Sequence, residues 1–291
     1  MFRKIITLLV QLIIILNSSA QKPNTMNNLK AFGYAPVNGI KMYYELYGEG
    51  EMPLVLIHGG GSTIESTFGS ILPMLAEYHS IIAVELQAHG RTYDRDAPET
   101  FEQDADDVAA LLKYLKANKA DILGFSNGGT TALQIGIRHP EVVNKLIVVS
   151  GAYRRDGFIN HFFDGFDHAT LDNMPESLRA AFLKVHPDSG ALLNMFHKDV
   201  ARMKAFTDIA DERIQSIKAP TFVVINDLDV VTAAHAAQMM HAIANARLMI
   251  LPGHHGSSIG AAESSPDEQT GKEAAFTAAL VDDFLADKMV R

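Results

Sequence analysis

The sequence contains no cysteine and no tryptophan among its 291 residues, and it carries no surplus of positive charge. The lack of cysteine excludes disulfide bonds, thiolate metal sites and a lipid-modified N-terminal cysteine. The formal net charge is −9 at pH 7. Because binding to a phosphate backbone requires clustered Lys and Arg, we expect no nucleic acid partner. The length and the 47 % hydrophobic content suit one large α/β domain, or a core with an insertion.

Long apolar runs are also scarce, and the one that stands out lies near the N-terminus, from Ile5 to Leu16. Two basic residues precede it, and a run of small residues that ends at Ala20 follows it. This order predicts a signal peptide over residues 1–20 that is cleaved on export, so we expect a periplasmic or secreted protein. A retained anchor is the alternative, but this run is shorter than the roughly 20 residues that span a bilayer. Residues 21–31 read as a polar leader, and we expect no stable membrane insertion after the signal is removed.

From about residue 32, short apolar runs alternate with amphipathic stretches. Continuous apolar runs of this kind are typical of strands that are buried on both faces. The alternation predicts a mostly parallel, doubly wound sheet wrapped by helices, built from residues 32–150 and 219–291. The predicted strands are Gly39–Tyr47, Pro53–Ile57, Ser80–Glu85, Ala120–Leu123, Lys145–Ser150, Pro220–Ile225 and Arg247–Leu251. Residues 48–51, Gly-Glu-Gly-Glu, predict a hairpin turn after the first of these strands.

An amphipathic helix is predicted over Thr100–Asn118, because its apolar residues recur at helical spacing. Asp104, Asp106 and Asp107 fall in its first turns, where the helix dipole favours negative charge. We interpret these three aspartates as a solvated helix face rather than as a metal site.

Residues 151–218, which we call the cap segment, contain no strand-like run and are rich in Phe and Met. The segment is too long to be a simple crossover between strands. We therefore predict a helical insertion that covers the sheet. Its adaptable Met and aromatic side chains suit the wall of an apolar pocket, although most of them are expected to bury the insertion against the core.

Gly124-Phe125-Ser126-Asn127-Gly128 forms a G-x-S-x-G motif between a predicted strand and a predicted helix, Thr130–His139. A sharp turn from strand to helix strains the backbone at the serine, and side chains at the two glycines would collide with neighbouring chain. The motif alone is common by chance, so its weight depends on its position and on partners elsewhere. In this position it predicts a serine hydroxyl held above the sheet.

Three glycines, Gly59–Gly61, follow a predicted strand and His58. They suit a flexible loop, a phosphate cradle or an oxyanion loop. The spacing G-x-x-x-x-G-K-[ST] is absent from this stretch, which disfavours the phosphate cradle. An oxyanion loop needs backbone N–H groups that no side chain obstructs, and we predict Gly60 as one donor and Asn127 as the other. We expect His58 to brace this loop and His89, in another loop, to be structural.

A serine hydroxyl becomes a good nucleophile when an imidazole takes its proton and a carboxylate orients that imidazole. The chain supplies these groups in the order Ser126, then Asp227 or Asp229, then His254 or His255. All of them fall at the carboxyl ends of predicted strands. Open α/β sheets carry their sites at this edge.

These features resemble those of the α/β-hydrolases, over about residues 32–287. The motifs that carry the resemblance are His58–Gly61, Glu85–Arg91, Gly124–Gly129, Asn226–Asp229 and Pro252–Gly256. The resemblance implies a serine hydrolase of the α/β-hydrolase fold, with a helical cap inserted after the sixth strand. It assigns Ser126 as nucleophile, Asp229 as acid and His255 as base, with Asp227 and His254 as the alternatives. It implies no metal and no organic cofactor.

Departures from the family pattern affect the expectation only in detail. Asn226 stands where family members commonly have glycine, and Glu85 stands where they commonly have aspartate. Phe125 fills a position often held by Trp, Met or Leu, so we expect it to reshape the pocket floor. Members with an aspartate nucleophile, such as haloalkane dehalogenases and epoxide hydrolases, are disfavoured because position 126 is serine.

The resulting hypothesis is a carboxylic ester hydrolase for small apolar or aromatic substrates that works through an acyl-enzyme. A lactonase, amidase, C–C bond hydrolase or perhydrolase would use the same three residues. A non-catalytic protein of this fold that binds a small molecule is the further alternative, since fold alone does not fix function.

Overall fold

The computed structural model describes residues 29–264 and 271–289 of the chain. The predicted signal peptide over residues 1–20 and all but the end of the predicted polar leader lie outside these ranges. Within them, no helix has the length and apolar character that crossing a bilayer requires.

The strands of the described chain form one eight-stranded sheet. They are β1 (Leu29–Val37), β2 (Ile40–Tyr47), β3 (Pro53–Ile57), β4 (Ser80–Val84), β5 (Ala120–Phe125), β6 (Val143–Val149), β7 (Thr221–Leu228) and β8 (Ala246–His254). Their order across the sheet is β1-β2-β4-β3-β5-β6-β7-β8. β2 runs antiparallel to both of its neighbours, and every pair from β4 to β8 is parallel. The prediction of a mostly parallel, doubly wound sheet is therefore confirmed.

The predicted hairpin at residues 48–51 is wrong, because β4 lies between β2 and β3 in the sheet. The hairpin instead joins β1 to β2, where Val37 pairs with Ile40. Asn38 and Gly39 form its turn, and both have a positive φ. An Asn-Gly pair favours this tight turn. Sequence reasoning missed β1, whose residues alternate poorly between apolar and polar.

Helices cover both faces of the sheet. They are α1 (Ile64–Phe68), α2 (Leu72–Leu75), α3 (Phe101–Tyr114), α4 (Asn127–Arg138), α5 (Glu176–Val185), α6 (Ser189–Lys204), α7 (Asp211–Gln215), α8 (Ala233–Ala242) and α9 (Lys272–Leu285). α3 begins where predicted, because Thr100 caps it by accepting the Gln103 N–H, but it ends four residues earlier than the predicted Asn118.

Successive residues of a strand face opposite sides of the sheet, which explains why these strands are apolar throughout. Val55 and Ile57 of β3 belong to the core that packs against α3, α4 and α8. Leu54 and Leu56 belong to the opposite core, which packs against α1, α2 and α9. All four are fully buried.

The cap segment connects β6 to β7. α5 and α6 pack together through a small apolar cluster that includes Phe182, Leu192 and Met195. At the end of the segment, Ile214 and Ile217 belong to the core that packs against α3, α4 and α8. Parallel strands point their carboxyl ends to one edge, so the loops after β3, β5, β7 and β8 meet there.

Candidate active site

Ser126 occupies the turn between β5 and α4 in a strained conformation, with φ 56° and ψ −119°. The turn is tight. A Cβ at Gly124 would lie 2.0 Å from the carbonyl oxygen of Gly128, and a Cβ at Gly128 would lie 2.2 Å from that of Ile57. Only glycine fits at either position, so the motif lets β5, α4 and β3 come into backbone contact. Ser126 itself is half-buried and lines a cavity.

His255 joins the serine to a carboxylate. Its Nε2 lies 3.0 Å from Oγ of Ser126, and its Nδ1 lies 2.7 Å from Oδ1 of Asp229. Asp229 directly follows β7 and His255 directly follows β8. The three side chains therefore form a continuous chain of hydrogen bonds. With the proton of His255 on Nδ1, Nε2 is free to accept the serine proton.

Asp229 is held from two further directions. The Ser150 hydroxyl donates to its Oδ2 over 2.6 Å, and the Val231 N–H donates to its Oδ1 over 3.1 Å. Ser150 follows β6 and has a φ of 54°. Sequence reasoning placed Ser150 at the end of a strand but gave it no role. The available signal was a polar residue at the carboxyl end of the strand beside β7.

Asn226, which stands in the family's glycine position, has a structural role. Its Nδ2 donates to the Pro252 carbonyl over 3.1 Å, and its Oδ1 accepts the Ser258 N–H over 3.1 Å. The side chain is fully buried. Asn226 thus ties β7 to the loop that carries His255.

The two charged partners shift each other's pKa. Burial disfavours the ionised form of Asp229, but the adjacent His255 and the donated hydrogen bonds outweigh it and hold the Asp229 pKa below its usual range. Burial also opposes the protonation of His255. The negative charge of Asp229 prevails, and the pKa of His255 is raised. Both shifts favour the ion pair that forms when His255 takes a proton.

The two alternative residues lie elsewhere. The Asp227 side chain is exposed, and its Oδ1 accepts the Gly253 N–H over 2.9 Å. His254 is exposed at the end of β8, where its N–H donates to the Ser257 hydroxyl over 3.0 Å. His255, rather than His254, contacts Ser126, and Asp229, rather than Asp227, contacts His255.

The predicted oxyanion donors flank Ser126. Gly60 and Asn127 are both partly exposed and line the same cavity as the serine. They are close to each other, because a Cβ at Gly60 would lie 2.5 Å from Nδ2 of Asn127. His58 is fully buried, with Nδ1 2.7 Å from the Gly59 carbonyl and Nε2 accepting the Leu86 N–H over 3.0 Å. It braces the loop and does not line the cavity.

The expectation that Asp104 and Asp107 form part of a solvated face is wrong. Both side chains are buried. Asp104 pairs with Arg202 of α6 over 2.9 Å, and Asp107 pairs with Arg95. Asp106 is half-buried and pairs with Arg138 over 2.6 Å. Burying a carboxylate is costly unless it is paired, and the counter-charge of Asp104 comes from a distant part of the chain.

The cavity beside Ser126 has a volume of about 730 Å³ and is mostly apolar. Residues of the cap segment form much of its wall, including Phe158, Phe162, Phe166, Met174, Leu178, Phe196, Val200 and Met203. Its charged or titratable lining consists of His168, Asp199, His255 and Glu263, and none of the described residues that line it is Lys or Arg. Phe125 does not form the floor, contrary to expectation. It is fully buried, with its ring 4.8 Å from that of His255.

Glu263 is a second site residue that sequence reasoning missed. It lines the cavity and accepts a short hydrogen bond from the Ser62 hydroxyl. Burial raises its pKa. This contact links the loop after β3 to the loop after β8. In the described ranges, no group of three or more His, Asp or Glu side chains is arranged to hold a metal ion.

Known proteins that are similar to this chain identify its family. Residues 54–270 match the model of the alpha/beta hydrolase family. The human serine hydrolase BPHL is 35 % identical over 116 residues, which is 38 % of this chain and 40 % of that protein. A 2-hydroxy-6-oxo-6-(2'-aminophenyl)hexa-2,4-dienoic acid hydrolase of Metapseudomonas resinovorans is 29 % identical over 140 residues, 47 % of this chain and 48 % of that protein. The matched stretch thus spans less than half of either relative.

Solved structures show the same fold. The crystal structure of CarC, a serine hydrolase involved in carbazole degradation, superposes with a TM-score of 0.69. It covers 88 % of this chain and 98 % of CarC at 23 % sequence identity. The family model, the sheet order and the shared fold lead to one conclusion. The chain belongs to the alpha/beta hydrolase family.

Proposed function

We propose that this protein is a hydrolase that cleaves carboxylic esters through an acyl-enzyme formed on Ser126. The observation that carries the proposal is the position of His255, which contacts Ser126 through one ring nitrogen and Asp229 through the other. A carboxylate, an imidazole and a hydroxyl in this sequence of contacts are the groups that nucleophilic acyl transfer requires.

The reaction proceeds in two halves. Ser126 Oγ attacks the ester carbonyl as its proton passes to Nε2 of His255, and Asp229 stabilises the imidazolium. The backbone N–H groups of Gly60 and Asn127 stabilise the oxyanion. Collapse of this intermediate breaks the C–O bond, and His255 returns the proton to the leaving alcohol. Water then attacks the acyl-enzyme in the same way, which releases the carboxylic acid and restores Ser126.

The cavity favours a neutral, apolar or aromatic substrate. Burial of apolar substrate groups against its wall of Phe and Met side chains stabilises the bound state. A free carboxylate on the substrate would find no Lys or Arg among the described lining residues, and would face Asp199 and Glu263 instead. This charge pattern disfavours acidic substrates.

Hydrolysis of a dienoic acid is the second candidate, because such a compound appears in the name of the Metapseudomonas relative. The three reacting residues serve either reaction, so the substrate's carboxylate is the distinguishing feature. The absence of a cation from the described cavity lining favours the ester over the dienoic acid. Lactones and amides are tested beside these two.

The test is a rate comparison on the purified protein without residues 1–20. We expect hydrolysis of p-nitrophenyl acetate, butyrate and benzoate, with weaker turnover of an anilide and of a 2-hydroxy-6-oxo-dienoic acid. Ser126→Ala is expected to remove ester hydrolysis while the circular dichroism spectrum stays unchanged. Activity that survives this substitution, or a preference for the dienoic acid, contradicts the proposal.

We also propose that the protein is exported and that residues 1–20 are removed. The support is the sequence order of basic end, apolar run and small residues before Gln21. Intact mass measurement of the protein recovered from an exporting bacterial host is expected to give an N-terminus at Gln21. A retained Met1 in the cytoplasmic fraction contradicts this proposal.

A further inference from the structure

One carboxylate of the cap segment reaches the loop that carries a predicted oxyanion donor. Asp199 of α6 accepts the Gly61 N–H with its Oδ2 over 2.5 Å. The same oxygen lies 3.0 Å from Nε2 of His89. The two partners of the Asp199–Gly61 bond are 138 positions apart in the sequence. Asp199 also lines the cavity beside Ser126.

The Asp199 carboxylate is itself fixed from behind. Its other oxygen, Oδ1, accepts a short hydrogen bond from the Arg202 guanidinium, one helical turn further along α6. Arg202 is 4 % exposed and also pairs with Asp104 of α3 over 2.9 Å. Asp199 is therefore held by a cation that is itself anchored to α3, and α6 cannot shift without breaking the Arg202–Asp104 pair.

The buried groups around Asp199 are paired with one another. Arg202 lies 2.9 Å from Asp104 and 3.8 Å from Glu99. Burial raises the pKa of Glu99. Burial opposes protonation of His89, but the adjacent Asp199 outweighs it and raises the His89 pKa to about 9. Charges paired in this way tolerate burial, whereas a single unpaired charge would not.

The loop needs such an anchor because it is rich in glycine. Gly61 has a φ of 70°, and glycine runs lose more backbone entropy on ordering than other residues do. Asp199 fixes the peptide between Gly60 and Gly61 by accepting its N–H. It also lies beside Gly60, since a Cβ at Gly60 would lie 3.2 Å from Oδ1 of Asp199. The carboxylate thus determines the path of the loop at the residue whose N–H is to bind the oxyanion.

We infer that Asp199 is a positioning residue for ester hydrolysis: by holding the Gly61 N–H, it keeps the Gly60 N–H directed at the developing oxyanion. The inference rests on the proposed function. Asp199 does not react with the substrate. Its effect is on the transition state, because an oxyanion donor that points away stabilises neither the tetrahedral intermediate nor the transition state that leads to it.

The test compares Asp199→Ala and Asp199→Asn with a control at another residue that contacts α6. Asp94, in the loop after β4, accepts hydrogen bonds from Lys198 over 2.7 Å and from Asn194 over 2.8 Å, so it also ties α6 to the rest of the chain. Its hydrogen bonds and its ion pair go to residues outside the glycine loop. Asp94→Ala therefore removes an anchor of α6 without touching the residue that the inference concerns.

We expect Asp199→Ala to lower kcat for a p-nitrophenyl ester by about tenfold or more, with KM within about threefold of wild type. Asp199→Asn is expected to retain part of kcat, because its amide oxygen still accepts the Gly61 N–H. Inhibition by an aryl trifluoromethyl ketone, whose hemiketal adduct with the serine carries the oxyanion, should weaken in proportion to kcat. Asp94→Ala should leave kcat within about twofold.

Three outcomes overturn the inference. These are an unchanged kcat in both Asp199 variants, a change confined to KM, and equal losses in Asp199→Ala and Asp94→Ala. If Asp199→Ala does not fold, the near-isosteric Asp199→Asn compared with Asp94→Asn decides the question by the same criteria. Wild-type activity that does not depend on Ser126 overturns the proposed function and this inference together, whereas Ser126-dependent activity with unaffected Asp199 variants overturns the inference alone.

Discussion

Nε2 of His255 lies 3.0 Å from Oγ of Ser126, although 129 positions separate the two residues in the sequence. The distance is short because β5 and β8 end at the same edge of one sheet, and each residue follows its strand directly. The fold therefore supplies the contact, and the residues at the strand ends supply the chemistry.

The pH dependence of kcat/KM follows from the His255 pKa. His255 must be neutral to accept the serine proton, so activity should fall as pH falls through its pKa. The Asp229 charge raises that pKa above the ordinary value of about 6.5. We expect the acid limb of the pH profile, where kcat/KM falls, to have its midpoint above this value. The profile is measured on a p-nitrophenyl ester between pH 5 and 9.

Asp229→Asn is the control for this assignment. It removes the charge that raises the pKa of His255, so the acid limb should move to lower pH. It also loses the preferred tautomer, and kcat should fall by about 10⁴, as in other serine hydrolases with this arrangement. A limb that stays in place would mean that His255 is not the group that titrates.

Gly128→Ala tests the tight turn at Ser126. The added Cβ would lie 2.2 Å from the Ile57 carbonyl oxygen, so β3 and α4 would have to separate. We expect a loss of about 3 kcal/mol or more in the free energy of unfolding, measured with urea. Gly165→Ala is the matched control, since no atom lies within 4 Å of its added Cβ, and it should change stability by less than about 0.5 kcal/mol. Equal stability of the two variants contradicts the packing argument.

Phe162→Ala tests the apolar wall of the cavity. Loss of the ring removes contact area for an aromatic acyl group but little for an acetyl group. We expect kcat/KM for p-nitrophenyl benzoate to fall by about tenfold relative to p-nitrophenyl acetate. Phe163→Ala removes a ring from the same cluster that does not line the cavity, and its benzoate-to-acetate ratio should stay within about threefold. A similar change in both variants would show that the cluster acts through stability alone.

The features that the sequence predicted are those that local pattern determines. The buried strands from Pro53–Ile57 onward are continuous apolar runs, and the turn at Ser126 requires glycine on both sides. The order of serine, aspartate and histidine at strand ends then limited the candidate catalytic residues to a few positions. None of these inferences required knowing which distant parts of the chain contact each other in the fold.

The features that the sequence did not predict depend on contacts between parts of the chain that are distant in the sequence. Asp104 reads as a surface residue because its partner, Arg202, lies 98 positions away. The hairpin prediction failed because β4 enters the sheet between β2 and β3.

The central claim is that Ser126 is an activated nucleophile, and covalent labelling tests it most directly. The protein is treated with a fluorophosphonate, and the adduct is located by peptide mass spectrometry in wild type, Ser126→Ala and His255→Ala. We predict one adduct, on Ser126, that is absent from Ser126→Ala and forms at least about 10²-fold more slowly in His255→Ala. A folded wild-type protein that takes up no label, or takes it up at another residue while it hydrolyses esters, contradicts the account.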